Sequence, residues 1–270
     1  MSVALPTREV EKPWGMDVLP APFAAPEGKR IGEIWFEPPE ALPGLLVKYI
    51  FTSEALSVQV HPTDAQTRDK GLGNQGKEEC WLIVGVEPGA KLGIGFDAAI
   101  SAQDMRSAAL DGSIEELMTW HDVAPGDFFY IPANTVHAIG AGVSLIEVQQ
   151  NSDITYRLYD YGRPRELHLE EGMAVAKGEP YALDRWHKHV PSDASQVLVD
   201  GPLFLLDQVA GAPLAEVSER YPDALLVIPR QGEVEVAGEK VAAGSCALAS
   251  SLAHVRFGDD SICLLARACT

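Results

Sequence analysis

What most limits the folds open to this 270-residue chain is a rhythm of short β-forming runs cut by turn residues. Alternating or apolar runs read as strands over residues 32–37, 45–51, 57–61, 77–84, 120–123, 128–131, 143–150 and 155–160. Between them lie Pro38-Pro39, Pro43-Gly44, Pro125-Gly126-Asp127, Gly140-Ala141-Gly142 and Asn151-Ser152-Asp153, residues that turn chains. Short strands spaced at ~8–12 residues predict a mainly β, double-sheet architecture of the jelly-roll type. A short helical insertion over about 97–118 breaks the rhythm, with helices at 101–110 and 113–118. The second of these opens on a Ser113-x-x-Glu116 capping pattern. The polar, glycine-rich passage 64–76 reads as a loop. The chain divides into a first β unit over 1–178, a connector over 179–195, and a smaller second β unit over 196–270. That second unit is expected to cover an edge of the first sheet.

Composition excludes whole classes of function. A net charge of −18 with no dense basic patch argues against nucleic acid as a partner. No apolar run approaches the ~20 residues of a membrane helix. The start, Met1-Ser2-Val3-Ala4-Leu5-Pro6, lacks the basic and apolar regions of a secretory signal. Four cysteines in this length make no disulfide framework, so a reduced cytoplasm is the expected home.

The chemistry concentrates on Ser57-Val58-Gln59-Val60-His61-Pro62. A strand sends alternate side chains to one face, so Ser57, Gln59 and His61 share a face while Val58 and Val60 pack on the other. In Lys77-Glu78-Glu79-Cys80-Trp81 the same alternation groups Lys77, Glu79 and Trp81 and turns Cys80 away as a small buried hydrophobe. Gln59, His61, Glu79 and His137 together offer two imidazoles, a carboxylate and a neutral oxygen. That set suits a borderline divalent ion, zinc first, and leaves room for water or substrate. The alternative is that His61 and His137 are unrelated members of the chain's seven histidines. His187 and His189, also two apart, sit in the polar connector beside Trp186 and read as solvated loop residues. His121 and His168 read as surface or turn residues, and Trp14 as a core plug beneath a loop.

Only 21 residues are Lys or Arg against 39 Asp or Glu, yet Lys77, Arg157, Arg163 and Arg165 fall on these same segments. Glu147 and Asp153 precede Arg157 on the preceding strand and turn. Cations gathered in an acidic protein point to an anionic substrate beside the metal.

Four blocks carry a resemblance. They are Ser57-Val58-Gln59-Val60-His61-Pro62, Gly76-Lys77-Glu78-Glu79-Cys80-Trp81, Ile131-Pro132-Ala133-Asn134-Thr135-Val136-His137-Ala138-Ile139, and the run from Glu147 through Asp153 and Arg157 to Arg163. In this order, with Lys12-Pro13-Trp14-Gly15 upstream, residues 12–165 resemble the type I mannose-6-phosphate isomerases, most closely the short bacterial form. The resemblance implies a cupin fold for the first unit, with the second as a smaller cupin-like β domain. It also implies one zinc ion per chain and interconversion of mannose 6-phosphate and fructose 6-phosphate. It carries the zinc ligands onto Gln59, His61, Glu79 and His137, and the catalytic arginine onto Arg157. Lys77 takes the substrate-contacting lysine's place, Trp14 the tryptophan of the sugar pocket, and Arg163 the phosphate-binding lysine. Ser57 and Asp153 join the expected substrate contacts, and Glu147 is the leading candidate for the general base, with a zinc-bound hydroxide as runner-up. Ile139 stands where longer relatives often have tyrosine. Two other classes stay open: a metal-dependent cupin oxygenase, disfavoured by neutral Gln59 beside Lys77 and Arg157, and a non-catalytic sugar-phosphate-binding cupin. The expected partner is a small sugar phosphate, with the chain a monomer or homodimer.

Overall fold

The computed structural model, which describes residues 3–269, is built on antiparallel sheets. The first unit holds β1 (Thr7–Met16), β2 (Ile31–Phe36), β3 (Leu45–Phe51), β4 (Val58–Val60), β5 (Glu79–Val86) and β6 (Lys91–Phe96). It continues with β7 (Met118–Asp122), β8 (Asp127–Ile131), β9 (His137–Ile139), β10 (Val143–Gln150), β11 (Tyr156–Tyr159) and β12 (His187–His189). These form a seven-stranded sheet, β1-β2-β3-β10-β5-β8-β12, and a five-stranded sheet, β11-β4-β9-β6-β7. The second unit holds β13 (Gln196–Asp200), β14 (Phe204–Ala210), β15 (Leu225–Gln231), β16 (Glu233–Val236), β17 (Glu239–Ala242), β18 (Ala247–Ala249), β19 (Val255–Phe257) and β20 (Ile262–Ala268). Its sheets run β13-β14-β20-β15-β18 and β17-β16-β19.

Alternation along the strands explains the layers. Odd and even residues of a strand face opposite ways, so the seven-stranded sheet is apolar on both sides. Ile50, Trp81, Ile83, Phe129 and Leu145 pack inward against Leu92 and Ile94 of the five-stranded sheet. Tyr49, Leu82, Phe128 and Ile146 point outward, onto Leu206, Leu226, Ile228 and Leu264 of the second unit. The second unit therefore covers a face of the first sheet rather than an edge. On the far side, Val58, Val60, Ala138 and Leu158 of the five-stranded sheet are covered by α2 (Ala102–Asp111) and α4 (Leu169–Val175). The expected helical insertion is thus a lid on one apolar sheet face.

Local readings differ from the structure at several places, beginning with β1 and β6, strands that the turn-bounded runs above do not include. The passage after Pro62 contains α1 (Asp64–Asp69), with Thr63 and Gln66 forming a full capping box. The pattern expected at Ser113 does not cap α3 (Ile114–Leu117). Its hydroxyl donates instead to Asp111 Oδ1 at 2.6 Å. The cap belongs to Ser101, whose Oγ accepts from the Asp104 amide at 3.1 Å. His187 and His189 are not loop residues, because β12 pairs with β8 and closes the seven-stranded sheet. Their rings share the Asp127 carboxylate, at 3.5 and 3.1 Å.

The shared apolar layer generates a test. Trp14, Trp35, Trp81, Trp120 and Trp186 all precede the second unit, so tryptophan fluorescence reports the first unit alone. Leu264→Ala, made in β20 of the second unit, is expected to cost ~2–5 kcal/mol. The midpoint of the tryptophan signal in a urea titration should fall accordingly, whereas an unmoved midpoint would mean the units do not share a core.

Candidate active site

Strand register assembles the site. In the five-stranded sheet Arg157 lies opposite Gln59, and Gln59 lies opposite His137. In the seven-stranded sheet Glu147 lies opposite Lys48 on one side and Trp81 on the other, while Gln149 lies opposite Glu79. The inward faces of the two sheets bring these lines together.

At the bottom are His61, Glu79 and His137, each at most 1% exposed. Their ligating atoms all lie within 4.8 Å of one another. His61 Nε2 is 3.6 Å from Glu79 Oε2, and His137 Nε2 is 3.4 Å from Glu79 Oε1. Each imidazole turns its other nitrogen to a backbone carbonyl, His61 Nδ1 to Ile154 O and His137 Nδ1 to Thr135 O, both at 2.9 Å. A carbonyl only accepts, so Nδ1 carries the proton and Nε2 presents a bare lone pair. Burial keeps both rings neutral, holding His61 well below its ordinary range and His137 down to about 4. Glu79 Oε1 has no hydrogen-bond donor. Two lone pairs and an orphaned carboxylate oxygen converging in a dry site are the donor set a divalent cation satisfies. Gln59 stands at the rim, its amide nitrogen 3.2 Å from His137 Nε2 and its oxygen accepting from Ser57 Oγ at 3.2 Å. The His61 backbone carbonyl accepts from the Asn134 amide at 2.8 Å, in a turn where Asn134 adopts φ 73°. That bond ties the segment before His137 to the strand before α1.

Above this group sits a buried charge array. Lys48 Nζ reaches Glu147 Oε1 at 3.0 Å and Gln149 Oε1 at 2.5 Å. Trp81 Nε1 donates to Glu147 Oε2 at 3.1 Å. Lys77 Nζ donates to Glu79 Oε2, 3.8 Å from Glu147 and 3.4 Å from His61 Nε2. Burial raises the Glu147 carboxyl, but Lys48 and then Lys77 outweigh it and hold it down to about 2. Glu79 goes the other way, pushed up to about 7 by burial and by the Glu147 charge.

A cavity of about 280 Å³ opens over the array. Of the residues expected from sequence, Trp14, Ser57, Gln59, Lys77, Glu147, Asp153 and Arg157 line it. Trp14 is 2% exposed and packs with Trp81 and Ile50, so it is core plug and cavity wall at once. Arg157 donates from Nη1 to Glu166 O at 2.7 Å, and its buried Nε has no partner. Arg163 is not on the wall. Asp160, 3.2 Å from its Nε, and the Ala55 carbonyl, 2.6 Å from Nη2, draw its guanidinium away. Arg165, two residues on, lines the cavity while pairing with the same Asp160 at 2.5 and 2.6 Å. Sequence reading missed Lys12, Glu33, Trp35 and Lys48, which also line it. The signal for Lys48 was present: it is the lone charge in the apolar run 45–51, a buried strand's pattern.

No protein-family model matches the chain. The curated mannose-6-phosphate isomerases of Streptococcus mutans and Bacillus subtilis are 35% identical over 208 and 206 residues, 73% of this chain in both cases. The chain spans 65% of the length of each of these relatives. The solved mannose 6-phosphate isomerase from Bacillus subtilis superposes with a TM-score of 0.78 over 98% of both chains, at 23% identity. Fold and site together define a cupin with a buried His/Glu/His group that could hold a metal ion. Within that class the chain is similar, over 73% of its length, to curated mannose-6-phosphate isomerases.

The array predicts a stability signature. Lys48→Met leaves Glu147 with a weaker set of partners and should cost ~3–5 kcal/mol in urea denaturation. Adding Glu147→Gln removes the stranded charge, so the double variant should recover much of that loss. A double variant no more stable than the single one would mean the pair is not what holds this part of the fold.

Proposed function

We propose that the chain is a zinc-dependent aldose–ketose isomerase interconverting mannose 6-phosphate and fructose 6-phosphate. The observation that carries this reading is the meeting of two neutral imidazole lone pairs with the unpartnered Glu79 oxygen beneath a cavity lined by lysine and arginine. Its support from relatives is that curated homologues and a solved structural neighbour bear that enzyme's name.

His61, Glu79 and His137 hold the ion in this reading, with Gln59 presenting its oxygen after a half-turn of its amide. Bound there, zinc supplies a Lewis acid beside the sugar oxygens. The reaction moves a proton between C2 and C1 through an enediolate, and the chain's own residues handle the charge and the proton. Glu147 takes the proton from one carbon and returns it to the other. Its proton affinity is low while two ammonium groups face it, and substrate oxygens that draw Lys48 and Lys77 away raise it. Arg157, always charged, faces the developing oxyanion. Lys77, on the cavity wall, takes the second proton from O2 and returns it to O1 so that the exchange balances; Ser57 and Asp153 orient the ring, and Trp14 walls it. The phosphate lies remote from the reacting carbons and anchors the sugar so that binding energy orients it. We assign that anchor to Arg165, the guanidinium of its loop that reaches the cavity. Four cysteines free of disulfides suit a cytoplasmic enzyme, acting as a monomer or homodimer.

The decisive experiment is a coupled turnover assay on mannose 6-phosphate, with and without chelator and with zinc measured by elemental analysis. His61→Ala should empty the site and abolish turnover; a full zinc complement in that variant would refute the ligand assignment. Arg157→Ala should retain zinc and lose ~10²–10³ in kcat. For Arg165→Ala the expected change is a raised KM with kcat largely kept, and an unchanged KM removes it as the anchor.

A further inference from the structure

The strands that build the active cavity have a second face, and a second cavity of about 260 Å³ lies against it. The two-residue period separates the two spaces. Lys48 and Glu147 line the first, while Tyr49, Phe51, Ser144 and Ile146, an odd number of positions away on β3 and β10, line the second. Across from the sheet stand Arg230 of β15 and Ile262 of β20. The segment between β1 and β2 closes one side with Phe23, whose ring lies 4.6 Å from Tyr49 and 5.4 Å from Phe51.

Arg230 is the unexplained group here. It makes one side-chain hydrogen bond, from Nη1 to Gln208 Oε1. Its buried Nε has no partner. Among the described residues no carboxylate forms an ion pair with it, and the charged form is disfavoured by burial with only Tyr49 opposing. Arg230 as a whole is half-buried, whereas Tyr49 is 5% exposed, and the Tyr49 proton is held by burial with no hydrogen bond from the protein contributing. A guanidinium placed in an apolar, aromatic chamber without an acid is costly unless something else brings the negative charge. In a protein with a net charge of −18, an acid-free arginine at such a place is a selective feature rather than part of a general field.

We propose that this cavity is a second ligand site, for a small monocarboxylate with an aromatic or branched apolar body. The carboxylate pairs with the free donors of Arg230 in the two-pronged geometry guanidinium favours, and the Tyr49 hydroxyl donates to the same oxygens. Phe23, Phe51, Ile146 and Ile262 bury the body. The volume lies at the small end of ligand pockets, which limits the body to about one ring. Bare phosphate fits less well, because it leaves the apolar walls unmatched.

Calorimetric titration of the full chain with phenylacetate tests the assignment, with phenylacetamide and inorganic phosphate as comparators. Saturable phenylacetate binding is expected, with phenylacetamide and phosphate each weaker by about tenfold or more. Arg230→Gln should weaken phenylacetate by a similar factor, and Tyr49→Phe by a few-fold, while Arg157→Ala in the other cavity leaves it unchanged. Should Arg230→Gln not fold, Tyr49→Phe carries the comparison alone, since it keeps the ring and removes only the hydroxyl. The proposal is overturned by no saturable heat at millimolar phenylacetate, by equal affinity for phosphate, by affinity unaltered in the Arg230 and Tyr49 variants, or by loss of binding in Arg157→Ala.

Discussion

Two carboxylates, Glu79 and Glu147, are buried in the middle of a strongly acidic protein, and the structure depends on how they are neutralised. Either one alone in an apolar interior would cost several kcal/mol. Lys48 answers Glu147 from the neighbouring strand and Lys77, two residues before Glu79, answers Glu79, whose other oxygen faces the neutral imidazole of His137. The outcome is asymmetric. Glu147 is pinned as an anion, while Glu79 keeps one oxygen without a donor. That leftover oxygen is what gives the pair of histidines a purpose beyond packing.

Rigidity comes from the backbone around the array. The His61 and His137 rings are each fixed by a carbonyl of an adjacent turn, at Ile154 and Thr135, so both present the same nitrogen inward. The sheets that carry these turns are clamped from outside, by α2 and α4 on one side and by the second β unit on the other. A β sheet buried on both faces holds register strongly, because a slip of one residue would move Glu147 into the apolar layer and Ile146 into the charge array. The second unit, although it brings no residue to the active cavity, therefore contributes to the site's geometry. The same face also makes the space in which Arg230 stands, among the described residues, without an ion-paired carboxylate.

Several local readings failed where competing partners were invisible in one dimension. Ser113 matches a capping pattern, yet Asp111 two residues earlier takes its hydroxyl. The polar run after Pro62 looks like loop by composition, but Thr63 and Gln66 cap each other and nucleate a turn and a half of helix. His187 and His189 lie in a polar segment that nonetheless has an open strand, β8, to pair with. Arg163 and Arg165 have the same chemistry and similar neighbours in sequence. Only the position of Asp160 and of the Ala55 carbonyl sends one away from the cavity and leaves the other on its wall.

The sequence by itself determined the strand rhythm, the facing of Ser57, Gln59 and His61, the turning away of Cys80, and the residue types able to hold a metal. These follow from the period of a strand and the chemistry of side chains, both of which are local. The tertiary structure decided which strands became neighbours. Lys48 and Glu147 are 99 residues apart and meet because β3 and β10 pair in one register. Gln59 and His137 meet across 78 residues for the same kind of reason. Long-range pairing depends on which apolar faces can be buried together, and that choice is made by the whole core at once rather than by any one segment.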